Sequence, residues 1–213
     1  MPLPRALAAF SALLVAAGTA AAQPTLDDLF RAVEVNDVAT VQSLVDRGMD
    51  VNSTNAQGRT ILMQAAGGGH ADMVKMLLAK RARPNLRAPT GETAIMFAAM
   101  KGSLPVVELL YAGGAEINHS GWTPLHYCAW EGHVEVCRFL IGKKADVDAR
   151  APNEATPLMI AARQGQQEIV RILLAAGANP NLESDRGMTA TQFALKAGNT
   201  DIAELLRKAG ATR

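Results

Sequence analysis

Gly121-Trp122-Thr123-Pro124-Leu125-His126-Tyr127-Cys128-Ala129-Trp130-Glu131-Gly132-His133-Val134-Glu135-Val136-Cys137-Arg138-Phe139-Leu140-Ile141 sets the pattern for the whole chain, most of which is built from variants of it. The same frame recurs at Gly58-Arg59-Thr60-Ile61-Leu62-Met63-Gln64-Ala65-Ala66 and at Gly91-Glu92-Thr93-Ala94-Ile95-Met96-Phe97-Ala98-Ala99, with further copies starting at Thr156 and Thr189. From Thr60 to Thr93, Thr123, Thr156 and Thr189 the steps are 33, 30, 33 and 33 residues. Gly69, Gly102, Gly132, Gly165 and Gly198 repeat those intervals, so two independent landmarks keep one period.

A period near 33 residues around a Thr-Pro-Leu-His-x-Ala core marks a repeat whose units bury their apolar faces only against each other. On these residues the chain resembles the ankyrin-repeat family from about Thr25 to Ala211, with Cys128 standing where the motif has Ala. The resemblance implies an all-α solenoid of about six helix-turn-helix repeats joined by hairpin-like fingers. The repeats are expected at about 25–54, 55–87, 88–118, 119–150, 151–183 and 184–213.

Local signals agree with that frame. Each Thr can cap a first helix, and Pro124 and Pro157 sit at the first helical position, where a missing N–H costs nothing. Second helices are expected over Ala71–Lys80, Leu104–Ala112, Val134–Gly142 and Gln167–Ala176, and an additional one over Val38–Asp46 in the degenerate first repeat. That repeat opens on Thr25 and Asp28 in capping-box spacing, with Leu26, Leu29, Phe30 and Val33 as its apolar stripe and Asp27, Arg31 and Glu34 facing water. Gly114 and Gly177 occupy the left-handed position that follows a second helix, whereas Arg81 and Lys144 occupy it in two other copies and should make weaker turns. The last repeat carries Thr191, Gln192 and Lys196 where a middle repeat is apolar or neutral, as expected of a cap.

Residues 1–22 read as a secretory signal peptide: Arg5, an apolar run from Ala6 to Ala17, and small residues before an expected cleavage after Ala22. The run is too short for a membrane span, which needs about 20 apolar residues. Residues 23–213 are then the ankyrin-repeat domain, expected in the periplasm or secreted. The leader contains Arg5 alone among charged residues, so 21 Lys and Arg against 20 Asp and Glu becomes 20 against 20. A neutral chain lacks the positive footprint of a nucleic-acid binder. A protein partner, a monomeric chain and no cofactor are the expectations.

The two cysteines, Cys128 and Cys137, flank the Gly132-His133 turn, where an oxidising compartment allows a disulfide. The other reading is two small buried hydrophobes, since the family places Ala and Val there. Three of the four histidines, His119, His126 and His133, lie in the same repeat, and Met63, Met96 and Met159 replace His126 in other copies. These residues define an alternative function, a metal or redox buffer, although His126 and His133 match the family's structural histidines and methionine is a common helix-interface filler. The serines lie in turns or helix starts with no nucleophile elbow, and no phosphate loop exists, so no catalytic residues are assigned.

Between Asn118 and Gly121 three residues are missing relative to the other copies, which shortens one finger and leaves a notch beside Trp122. Trp122, Tyr127 and Trp130 fall within nine residues and match positions that line the family's concave groove. A partner-binding patch is therefore expected at Trp122, Tyr127 and Trp130 with Met100, Glu131, Arg163 and Lys196 around it. The competing reading has the rings packed over the short finger as local core. The resemblance extends to exported bacterial ankyrin proteins that assist periplasmic enzymes and to immunity proteins that occlude toxins; secretion onward to a host cell as an effector is a third reading, and no residue here chooses among them.

Overall fold

The computed structural model describes residues 24–212, so the expected leader and its cleavage site lie outside the described residues. Six helix pairs follow one another: α1 (Leu26–Glu34) with α2 (Val38–Asp46), α3 (Ile61–Gly68) with α4 (Ala71–Ala79), and α5 (Ala94–Lys101) with α6 (Leu104–Ala112). Then come α7 (Pro124–Glu131) with α8 (Val134–Gly142), α9 (Pro157–Gln164) with α10 (Gln167–Ala175), and α11 (Ala190–Lys196) with α12 (Thr200–Lys208). α4 and α10 each stop one residue short of the expected end, at Lys80 and Ala176, which serve as caps.

Helices of eight or nine residues are too short to persist alone in water, so their order comes from neighbours. The odd-numbered helices form one row, each packed on the next, and the even-numbered helices from α2 to α10 form a second row behind it. Ala65, Ala66, Ala98, Ala99, Ala161 and Ala162 are fully buried at the contacts of the first row, where a larger side chain would force the helices apart. Val74, Leu77, Val107, Leu110, Val136, Leu140, Val170 and Leu173 fill the layer between the rows. The core is thus one apolar sheet of side chains running the length of the stack.

Backbone groups are satisfied across repeats by a ladder of side-chain amides. Asn52, Asn85, Asn118 and Asn181 accept from the N–H of Arg83, Glu116, Asp146 and Thr212 at 2.8–2.9 Å. Asn85, Asn118 and Asn181 also donate to the carbonyls of Gly114, Lys144 and Gly210. Asp148 takes this place before repeat five and makes only the accepting bond, to Asn179 N–H at 3.0 Å, since a carboxylate has no donor. A second tie runs through the turns between paired helices: Gly102, at φ +76°, leaves room for the His133 ring of the next repeat, which a Cβ would meet at 2.4 Å.

Fingers are turns closed by backbone bonds between residues four apart, Asn55 with Arg59, Ala88 with Glu92, Ala151 with Ala155 and Ser184 with Met188. Strand pairing among the described residues is limited to an isolated bridge between Thr54 and Thr60. Thr191 is buried although polar, because it occupies the position of Leu62, Leu125 and Leu158 in the other repeats. One detail of the expected caps is corrected. Leu26, expected on the apolar stripe, is 42% exposed at the open end of the stack.

Candidate functional site

The site starts at the short finger. Thr123 opens α7 in extended backbone, and Tyr127 and Trp130, three residues apart, share the face of α7 that looks away from the second row. Trp122 precedes the cap, and its ring centre lies 5.6 Å from that of Tyr127 and 6.3 Å from that of Trp130. It also meets the His126 ring edge-on at 5.4 Å. Trp122 and Tyr127 are half-buried, whereas Trp130 and Met100 are each 38% exposed. The two sequence readings of these rings therefore divide by residue: Trp122 is anchored to the core, and Trp130 is offered to solvent.

Met100, Trp122, Tyr127, Trp130 and Glu131 line one cleft of about 250 Å³. Beside it the missing finger residues open a second cleft of about 340 Å³, whose walls include Arg87, Gly91 and Glu92 from one finger, Ser120 and Gly121 from the short finger, and Pro152. Trp122 and Tyr127 line both, so the notch and the aromatic cleft are continuous. Burial pushes the Tyr127 phenol up to about 12, with the Glu92 carboxylate adding to the effect. The phenol is therefore a neutral hydrogen-bond donor across the physiological range.

Of the residues expected around the rings, Met100 and Glu131 join them directly. Arg163 holds its guanidinium 6.0 Å from the Trp130 ring centre, within cation–π range. Lys196 lies farther on, in a separate cleft of about 390 Å³ with Arg163, Arg186, Met188, Phe193 and Ala197. On the other side, Arg59 covers the Phe97 ring at 4.8 Å and a further cleft runs from Phe97 to Glu34. Phe97 and Phe193 belong to the groove although the sequence reading passed over them. Stepping the Tyr127 position by one repeat, or by two, points to them.

Most groups of the metal or redox alternative are engaged elsewhere. Thr60 N–H and Thr93 N–H point at the sulfurs of Met63 and Met96 at 3.4 Å, and Thr123 N–H donates to His126 Nδ1 at 3.1 Å. Asp28 and Gln192 accept from Thr25 N–H and Thr189 N–H at 2.9 Å. Most of this row thus serves the start of its helix, whatever its side-chain chemistry, and the methionines and His126 are buried. With Nδ1 accepting, His126 Nε2 carries the proton and donates to Ala155 O at 3.1 Å in the next repeat. Burial pushes the His126 pKa down to about 4. His133 Nε2 reaches Met100 O at 3.0 Å. Cys128 and Cys137 are fully buried and joined to each other, with Cα atoms 5.7 Å apart. No group of three His, Cys, Asp or Glu among the described residues is placed to hold a metal. Ser53 and Ser184, two of the serines, form turn hydrogen bonds with nearby backbone.

Comparison with known proteins agrees with this architecture. A family model described as "Ankyrin repeats (3 copies)" matches residues 29–119, 80–151 and 144–212. A putative ankyrin repeat protein of Rickettsia felis is 25% identical over 130 residues, covering 58% of this chain and 43% of that protein. An ankyrin repeat, SAM and basic leucine zipper domain-containing protein of Pongo abelii is 34% identical over 50% of this chain and 24% of its own length. A glycerophosphocholine phosphodiesterase of Candida albicans is 34% identical over 54% of this chain but only 10% of its own length. The matched segments amount to less than half of each relative, so the likeness covers repeats and leaves the remainder of those proteins unmatched. With its period, its helix pairs and a family model spanning most of its length, this chain belongs to the ankyrin-repeat family.

Proposed function

We propose that the chain is a non-enzymatic protein-interaction module, exported to the periplasm, that holds a partner protein in its concave groove with Trp122, Tyr127 and Trp130 at the centre. The observation that carries this reading is the aromatic cleft itself. Three rings converge on a rigid stack, and Trp130 and Met100 remain substantially exposed. Large aromatic side chains dominate binding energy where they fill a partner's surface, and a groove held by its neighbours loses little freedom on docking. The chain acts as a monomer in this scheme, with no cofactor. The buried Cys128–Cys137 pair suits an oxidising compartment.

Crosslinking from the groove in living cells, followed by mass spectrometry, identifies the partner. Trp122→Ala with Trp130→Ala should then weaken capture by about 2 kcal/mol or more, roughly 30-fold, while the helical circular-dichroism spectrum is kept. Unchanged capture by the folded double variant would remove this site from consideration. Intact mass of the chain recovered from the periplasmic fraction should begin at Gln23. A chain that keeps residues 1–22 in the cytoplasm overturns the location without touching the groove.

A further inference from the structure

The charges along the groove are not evenly mixed. At one end, the cleft between α9 and α11 is lined by Arg163, Arg186 and Lys196 with Met188 and Phe193, and no carboxylate lines it. All three cations are exposed. Two repeats back, the aromatic cleft carries Glu131, and its neighbouring notch carries Glu92. Arg163 touches both regions, since it lies over Trp130 as well as lining the cationic cleft. Because Lys and Arg balance Asp and Glu beyond residue 22, this separation is local and owes nothing to net charge.

We infer that the occupant of the groove is an extended segment of a partner protein that places an apolar side chain among Met100, Trp122 and Trp130 and an acidic group, Asp, Glu or a C-terminal carboxylate, between Arg163, Arg186 and Lys196. The inference rests on the groove reading given above and specifies its ligand. Guanidinium groups bind carboxylates through two parallel hydrogen bonds, and a cleft with several cations and an apolar floor strengthens that pairing by excluding water. The spacing follows from the stack. Packed helices stand about 8–10 Å apart, so two repeats span about 20 Å, and an extended chain rising about 3.3 Å per residue covers that in about six residues.

Selection of random peptides of about a dozen residues, displayed on phage, against the purified chain tests this directly. The enriched sequences should carry an aromatic or aliphatic residue and an acidic residue about six positions apart. A synthetic copy of the strongest binder should lose about tenfold or more in affinity on Arg186→Glu with Lys196→Glu, and should weaken as salt rises. Arg163 stays intact in that variant because it contacts Trp130, and circular dichroism checks the fold. Peptides without acid that depend on Trp130 but ignore the charge reversals would overturn this inference and leave the groove reading standing. Peptides indifferent to both Trp130→Ala and the reversals, or no enrichment at all, would sink both. Displacement of the peptide by a single-stranded oligonucleotide would show the cations to serve phosphate, and overturns the inference as well.

Discussion

Repeats three and four share one frame and solve its first turn in different ways. In repeat three the finger is closed by backbone, with Ala88 N–H donating to Glu92 O at 2.9 Å and Gly91 N–H to Ala88 O at 2.8 Å. Its cap is finished by the weak Met96 thioether. Among the described residues no such bond closes residues 118–122 in repeat four. There the turn is held from inside by side chains: Trp122 leans on His126, and His126 joins Thr123 N–H to Ala155 O of the following repeat. A finger can thus lose its backbone closure when an imidazole bonded at both ends replaces it. The shortened finger then leaves the space in which Trp122 and Tyr127 meet the groove.

The largest effect that separates the two repeats is acid sensitivity. The His126 site accepts only neutral imidazole, since a second ring proton would face Thr123 N–H, and burial already holds its pKa near 4. In the unfolded chain the ring titrates at its ordinary 6.5. Between those values the unfolded chain binds a proton that the folded chain does not. Stability is therefore full above pH 6.5 and falls as the pH drops towards 4, by about 1.4 kcal/mol per unit at most and about 3 kcal/mol in all. Replacing His126→Met copies repeat three and should flatten that slope in urea midpoints measured from pH 7.5 to 4.5. Parallel slopes for both proteins would break the account. His119, whose pKa burial also lowers, adds in the same direction and is unchanged in the comparison.

Next in size is the bond between the two helices of repeat four. Cys128→Ala with Cys137→Val installs the residues of repeat three, Ala98 and Val107. Both positions are fully buried, so the swap keeps the packing type and removes the crosslink. Closing so short a loop contributes about 2 to 3 kcal/mol in the chain-entropy account, and the variant should lose that much. Reduced wild type should unfold at the urea concentration of the variant. A reducing agent without effect on the midpoint would mean that the crosslink constrains nothing the packing does not.

These contrasts show where reading the sequence stops. Helix pairs, caps and the left-handed Arg81 and Lys144 were legible because Thr, Gly and the second-helix ends recur at a fixed interval, and a period is a property of a line of text; the left-handed Asn36 and Glu154 were not read. The structural role expected of His126 agrees with its bond to Thr123 N–H, whereas the use of Met63 and Met96 was not legible. Their thioethers meet the same orphan backbone donor, where composition suggested filler or a metal ligand. At the groove, the sequence placed Trp122, Tyr127 and Trp130 together, and the ring distances agree. Lys196 lies in a neighbouring cleft rather than against the rings, because position within a repeat fixes the face but not the distance along the stack.

The smallest expected effect lies at the far end of the same two repeats, where each second helix must turn. Repeat three uses Gly114 at φ +88°, and repeat four uses Lys144 at φ +65°. A side chain in the left-handed region costs about 1–2 kcal/mol, while glycine gives the unfolded chain about 0.4–1 kcal/mol of extra freedom. Relief should exceed that loss, so Lys144→Gly should stabilise by about 0.5 kcal/mol. The reverse change, Gly114→Ala, meets no atom within 4 Å of its new Cβ, so any loss is backbone strain alone. Net of the freedom that alanine removes from the unfolded chain, it should cost about 0.5 kcal/mol. Urea midpoints of the two variants should therefore move in opposite directions. If Lys144→Gly destabilises, the Lys144 side chain contributes more than the turn strain it imposes, and the two turns are not alternatives of one kind.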